Sequence, residues 1–103
     1  MGTVNVEWVR FGAGVYDNAA QNCIAHTVKT EQITTSGSNA QSGACPDGAN
    51  GAIVYAVEDH YVSFEVGNTD PDATGTERMR LLATKETVFA GMTGGEKIAA
   101  ITV

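Results

Sequence analysis

The spacing Asp70-x-Asp72-x-Thr74-Gly75 reproduces the first half of a calcium-binding loop, in which alternate oxygen side chains and a turn-forming glycine wrap a hard cation. Completing that loop takes a bidentate glutamate at its twelfth position, where this chain has Leu81, and flanking helices that the sequence does not announce. Asp and Gly also favour turns for their own backbone reasons, so the segment reads as a turn. Cys23 and His26 have the residue types of a thiol–imidazole pair. Three positions apart they would meet on a helix, but on a strand they point to opposite sides. The surrounding segment is rich in strand formers, so they read as a half-buried thiol and an edge histidine. Asp59-His60 could be a ligand or acid–base pair and reads more simply as an exposed turn. The glycines of Gly91-Met92-Thr93-Gly94-Gly95 suggest a phosphate cradle, yet they precede a strand and so lack the helix N-terminus that completes one. Ser38, Ser42 and Ser63 have no activating partner and no G-x-S-x-G elbow. Tyr16 and Tyr61 could stack a sugar or be ordinary surface tyrosines, whereas Trp8, Tyr55 and Phe64 fall on apolar faces and read as core. No nucleophile–base set, metal-ligand set or cofactor motif emerges, and the expectation is a protein that is not an enzyme and needs no cofactor or metal.

The elements that would position these residues are short strands. Residues 3–11 alternate, with Val4, Val6 and Trp8 on one side and Asn5 and Glu7 on the other. Gly12-Ala13-Gly14 breaks this strand, and residues 17–22 read as a loop. Residues 24–35 are rich in Thr, Val and Ile, but Ile24, His26 and Val28 share one parity and Ile33 the other, which predicts a bulge near Thr30-Glu31. Residues 36–50 form a long polar loop. Residues 52–66 predict a hairpin turning at Glu58-Asp59, with Val57 opposite His60, Tyr55 opposite Val62 and Ile53 opposite Phe64. Its core face would be Ile53, Tyr55, Val57, Val62, Phe64 and Val66, with His60 at the rim. Residues 68–76 form a second loop, after which Met79, Leu81 and Ala83 face inward. Residues 87–90 and 97–103 predict a second hairpin around the glycine-rich turn, with Ile101-Thr102-Val103 paired and buried. No segment repeats apolar residues at i, i+3, i+4 and i+7. The fold class expected is all-β, a small β-sandwich or barrel of about seven short, mostly antiparallel strands in a single domain spanning 1–103.

The net charge is −6, so the chain repels phosphate, and neither nucleic acid nor an anionic membrane surface is an expected partner. No apolar run approaches the ~20 residues of a membrane span. No basic stretch followed by an apolar one precedes the first strand, so synthesis in a cytoplasm is expected, with Cys23 and Cys45 as reduced thiols. Charged residues are 17% of the chain, below the ~25% of an average domain. The surface is therefore read as sparsely charged and suited to contacts with a neighbour, and a domain this small gains from the burial that a neighbour supplies. The two long loops are the segments expected at a partner surface, through Ser38, Asn39, Gln41 and Ser42 in the first and Asp70 and Asp72 in the second.

From about residue 27 onward the order of pieces resembles small structural proteins of tailed bacteriophages. The pieces are Thr35-Ser36-Gly37-Ser38-Asn39-Ala40-Gln41-Ser42, the strand 53–57, Glu58-Asp59, Val66-Gly67-Asn68, Pro71-Asp72-Ala73-Thr74, Leu81-Leu82 and the closing run 88–101. Cys45-Pro46-Asp47-Gly48 and the first 25 residues depart from that pattern. The resemblance implies a β-sandwich of the virion, made in the host cytoplasm, that binds the major capsid protein or other virion proteins as a head decoration (cement) protein. It also implies self-association, as a homotrimer on a symmetry axis. A receptor- or carbohydrate-binding module of a fibre or tail is the alternative it leaves open.

Overall fold

Val4, Val6 and Trp8 alternate with Asn5 and Glu7, and that period of two places one face of strand β1 (Gly2–Phe11) in the core and the other outside. The computed structural model describes residues 2–11 and 25–103. The expected break at Gly12-Ala13-Gly14, the loop 17–22, Tyr16, Cys23 and Ile24 lie outside the described residues. β1 pairs antiparallel with β2 (Ala25–Thr35) on one side and with β4 (Gly51–Ala56) on the other, and β4 pairs with β7 (Glu86–Ala90). The first sheet thus has the order β2-β1-β4-β7. The second sheet, β3-β8-β5-β6, contains β3 (Ala40–Gln41), β5 (His60–Ser63), β6 (Met79–Leu81) and β8 (Ala99–Thr102). Every pairing is antiparallel, and the sheets pack on one core that takes Val4, Val6, Trp8 and Val54 from the first and Val62, Leu81 and Ala100 from the second. The fold is all-β, as expected, with eight strands among the described residues where about seven were read. The extra strand is the two-residue β3, inside the segment read as a loop.

Both expected hairpins are corrected. β4 lies in the first sheet and β5 in the second, so residues 57–59 turn a corner between sheets instead of closing a hairpin. Glu58-Asp59 is a poor sequence for the φ > 0 turns that close tight hairpins. Asp59 instead accepts the Ala83 N–H at 2.7 Å and an Arg80 N–H at 2.8 Å, which anchors the corner to β6 and the segment after it. The parity of β4 is also the reverse of that expected: Ala52, Val54 and Ala56 are fully buried, while Ile53 and Tyr55 are half-buried on the outer face. The cause is Trp8, which stands directly opposite Ala52 in the ladder and takes the volume that a larger inward residue would need. Val57 and Val66, expected in the core, are 64% and 50% exposed. The glycine turn likewise joins β7 in the first sheet to β8 in the second.

The register of β1 with β2 runs from Val4 opposite Ile33 to Trp8 opposite Lys29, then jumps to Val9 opposite Thr27. The bulged residue is therefore Val28, two positions before the Thr30-Glu31 expected. Keeping the ladder regular through Glu31 puts its carboxylate on the inner side, where it accepts the Trp8 indole N–H at 2.6 Å. β8 carries no alternation because both of its faces are covered: Ala100 points into the main core, while Ala99 and Ile101 pack under Ala73 from the loop 68–76. Leu81 is buried as expected, but Met79 is 45% exposed because β6 is an edge strand.

The corrected parity of β4 is open to test by urea unfolding. Val54→Thr places a hydroxyl without a partner in the core and should cost about 1–3 kcal/mol. Ile53→Thr, one residue away on the outer face, should stay within about 1 kcal/mol of the parent. Equal losses would return Ile53 to the core.

Candidate interaction surface

Gln41 in the short strand β3 and Asn39 just before it flank Ala40, and both side chains reach the same loop. They do so on the outer side of the second sheet, because Gln41 stands opposite Ala99. There the two amides clasp the loop 68–76. Asn39 Nδ2 donates to the Pro71 carbonyl at 3.1 Å and Asn39 Oδ1 accepts the Ala73 N–H at 2.8 Å. Gln41 Nε2 donates to Asp70 Oδ1 at 2.7 Å and to the Pro71 carbonyl at 2.9 Å. Pro71 and Ala73 are fully buried under this contact, while Ser38, Asp70 and Asp72 remain exposed around it. Two loops about thirty residues apart in sequence thus form one platform.

Five of the six residues expected at a partner surface lie on or beside this platform. Ser42 does not: it is 5% exposed, its hydroxyl accepts the Ile98 N–H at 2.9 Å and donates to the Gly43 carbonyl at 2.7 Å, and its own N–H donates to Ile98. It extends the β3–β8 pairing toward the interior and has no surface to offer. Asp72 Oδ1 accepts the Thr74 hydroxyl at 2.6 Å and the Thr74 N–H at 2.9 Å, which hold its carboxyl below the usual range. Asp70 N–H donates to Asn68 Oδ1. The calcium-like spacing is therefore spent on turn hydrogen bonds, and among the described residues no three His, Cys, Asp or Glu side chains converge as a metal site.

The remaining chemical motifs have structural employment. The glycine-rich turn does form an anion cradle, and the anion is the chain's own Glu96. This side chain is fully buried. Its Oε2 accepts the Gly67 N–H at 2.9 Å, the Thr93 N–H at 2.9 Å and the Thr93 hydroxyl at 3.1 Å, and its Oε1 accepts the Gly94 N–H at 2.8 Å. Gly94 and Gly95 adopt φ of 117° and 87°, which gives the turn its inward-pointing amides. Burial pushes the Glu96 carboxyl up, but the backbone N–H groups of Thr93, Gly67, Glu96 itself and Gly94 outweigh it and hold it at about 2.

His60, expected at an exposed turn, is fully buried, and so is Thr35. His60 Nδ1 donates to the Glu58 carbonyl at 2.8 Å, and Nε2 lies 2.8 Å from Thr35 Oγ1. A hydroxyl, an imidazole and an orienting acceptor in line would suit nucleophilic catalysis, but with no exposed surface no substrate reaches them. Here they tie the end of β2 to the start of β5, across the two sheets. Cys45 is a buried free thiol, raised above its ordinary range by burial and by the nearby Glu96 and Asp47 carboxylates. Cys23 and the Cys23–His26 and Tyr16–Tyr61 pairs lie outside the described residues. Tyr61 itself lies under Arg78, whose guanidinium carbon stands 3.7 Å from the ring centre, so its exposed face is occupied.

Two measurements test this arrangement. Asn39→Ala should cost about 1–3 kcal/mol and speed hydrogen exchange at the Ala73 amide, which loses its acceptor. Glu96 has a folded-state carboxyl below its ordinary 4.5, so its contribution is complete above pH 4.5 and is lost as pH falls toward 2. Glu96→Gln should therefore lose on the order of 3 kcal/mol at neutral pH. The gap from the parent should close between pH 4.5 and 2 in urea titrations; a constant gap across that range would contradict the cradle.

Compared with known proteins, the chain matches no protein family, no curated protein and no solved structure.

Proposed function

We propose that the chain is a non-enzymatic structural protein of a phage particle, binding the capsid surface as a decoration (cement) protein that stabilises the assembled shell. The observation that carries this reading is the platform of Asn39, Gln41 and residues 70–73. Its loops are among the segments through which the phage resemblance runs, and their hydrogen bonds tie them to each other before any partner arrives. A pre-ordered surface loses little entropy on docking. A protein that binds only the assembled shell stabilises it by mass action, without any catalytic group. In this reading the partners are the major capsid protein or other virion proteins, and copies of the chain itself as a homotrimer.

Cosedimentation with empty capsids tests the proposal. Joint replacement of Ser38, Asp70 and Asp72 by alanine should leave the β-rich circular dichroism spectrum unchanged and weaken capsid binding at least about tenfold. A folded parent protein that ignores capsids and binds a glycan would replace this reading with the fibre or tail module.

A further inference from the structure

The outer faces of the two sheets differ. The second sheet's is roofed by the loop 68–76, with Ala73 packed against Ala99 and Ile101. The first sheet's is open at its centre, where Val88 is 54% exposed and Ile53 and Tyr55 are half-buried. A groove of about 400 Å³ crosses it between Asn5, Glu7 and Glu86. The ladder orders these side chains in two adjacent rows, Asn5–Tyr55–Glu86 and Glu7–Ile53–Val88. Tyr55, Ile53 and Val88 are thus an apolar centre, and Glu7 and Glu86 stand at opposite corners of it.

The charge of this face is one-sided. No lysine or arginine occupies either row, and the ion pair among the described residues, Arg80–Asp59, belongs to the other sheet. Among the described residues only Oε2 of Glu7 accepts a hydrogen bond, from the Thr27 hydroxyl. Glu7 and Glu86 are separated by two strand spacings of about 4.8 Å and one two-residue step of about 6.7 Å, hence roughly 12 Å. In an extended peptide, side chains at i and i+4 are about 13 Å apart on one face, with i+2 between them. We propose that this face binds an extended segment of a partner protein carrying Lys or Arg at i and i+4 and an aliphatic residue at i+2. The two cations would meet Glu7 and Glu86, and the aliphatic residue would cover Tyr55, Ile53 and Val88. Complementary charge sets the register and the apolar centre supplies the burial. A second copy of this chain is not the occupant, because none of its six basic residues stand four apart.

The inference does not rest on the capsid reading, because isolated protein and free peptide test it. Acetyl-Lys-Ser-Leu-Ser-Lys-amide is titrated into the ¹⁵N-labelled protein. Saturable shifts should gather on the amides of Asn5, Glu7, Ile53, Tyr55 and Val88. Affinity should fall about tenfold in the E7Q/E86Q double variant, whose free spectrum keeps the parent dispersion, and about as much for the respaced peptide Lys-Lys-Leu-Ser-Ser. Glu-Ser-Leu-Ser-Glu should not bind. Equal binding of both basic peptides, shifts on other strands, an unchanged affinity in the double variant, or no saturation at millimolar peptide would overturn the proposal. So would saturable shifts at these amides with a neutral oligosaccharide and none with the peptide.

Discussion

An indole cannot be buried without an acceptor for its N–H, and most of this fold can be derived from how Trp8 meets that demand. Trp8 is the largest fully buried side chain among the described residues. Its acceptor is Glu31, which must therefore face inward from β2. That requirement keeps β2 regular through residue 31 and moves the register correction to Val28. The second oxygen of Glu31 accepts the Gly43 N–H at 2.9 Å, which draws the chain after β3 against β2. Across the ladder on its other side, the indole leaves room only for alanine at position 52. One buried indole thus accounts for a strand register, a loop position and the small inner face of β4.

The same economy recurs where separate strands and loops must be tied. Much of the inner surface is alanine and valine, which bury little area each, so satisfied polar contacts share the task of fixing one arrangement. Thr35 and His60 join β2 to β5, Ser42 joins β3 to the start of β8, and Glu96 gathers Gly67, Thr93 and Gly94 around the glycine turn. Each joins segments distant in sequence. Among the described residues no buried side-chain nitrogen or oxygen lacks a partner, which such a polar interior requires.

The sequence disclosed what depends on local pattern. The alternation of Val4, Val6 and Trp8 identified β1 and its inner face, and the want of any helical period excluded helices. It could not disclose what depends on distant partners. Ile53 and Tyr55 are more hydrophobic than Ala52 and Ala56, and only the presence of Trp8 opposite reverses the choice of inner face. Two strands joined by three residues look alike whether they pair with each other or cross between sheets. In β8, Ala99 to Ile101 show no period because a loop from elsewhere covers the second face. Of the candidate surface, the sequence identified both loops from their polarity and length. Their union could not be read, since it rests on contacts such as Asn39 to Ala73, 34 positions apart, nor could the burial of Ser42 and His60, which as polar residues resemble their exposed neighbours.

A sandwich must also control its open edges, and the first sheet controls its two edges unequally. β2 is long, and a long flat edge invites pairing with other chains. It carries a bulge at Val28 and an inward-pointing charge at Glu31, two devices that spoil a continuous ladder for a newcomer. β7 has only five residues, and its protection is brevity, with Lys85 and Glu86 at one end and Gly91 at φ 87° at the other. The residue that solves the indole's problem therefore also guards the edge: Glu31 faces inward because Trp8 needs an acceptor, and for that same reason it is placed where a foreign strand would have to bury it. Strand-to-strand pairing at the β2 edge is thereby disfavoured by a contact the fold already makes for its core.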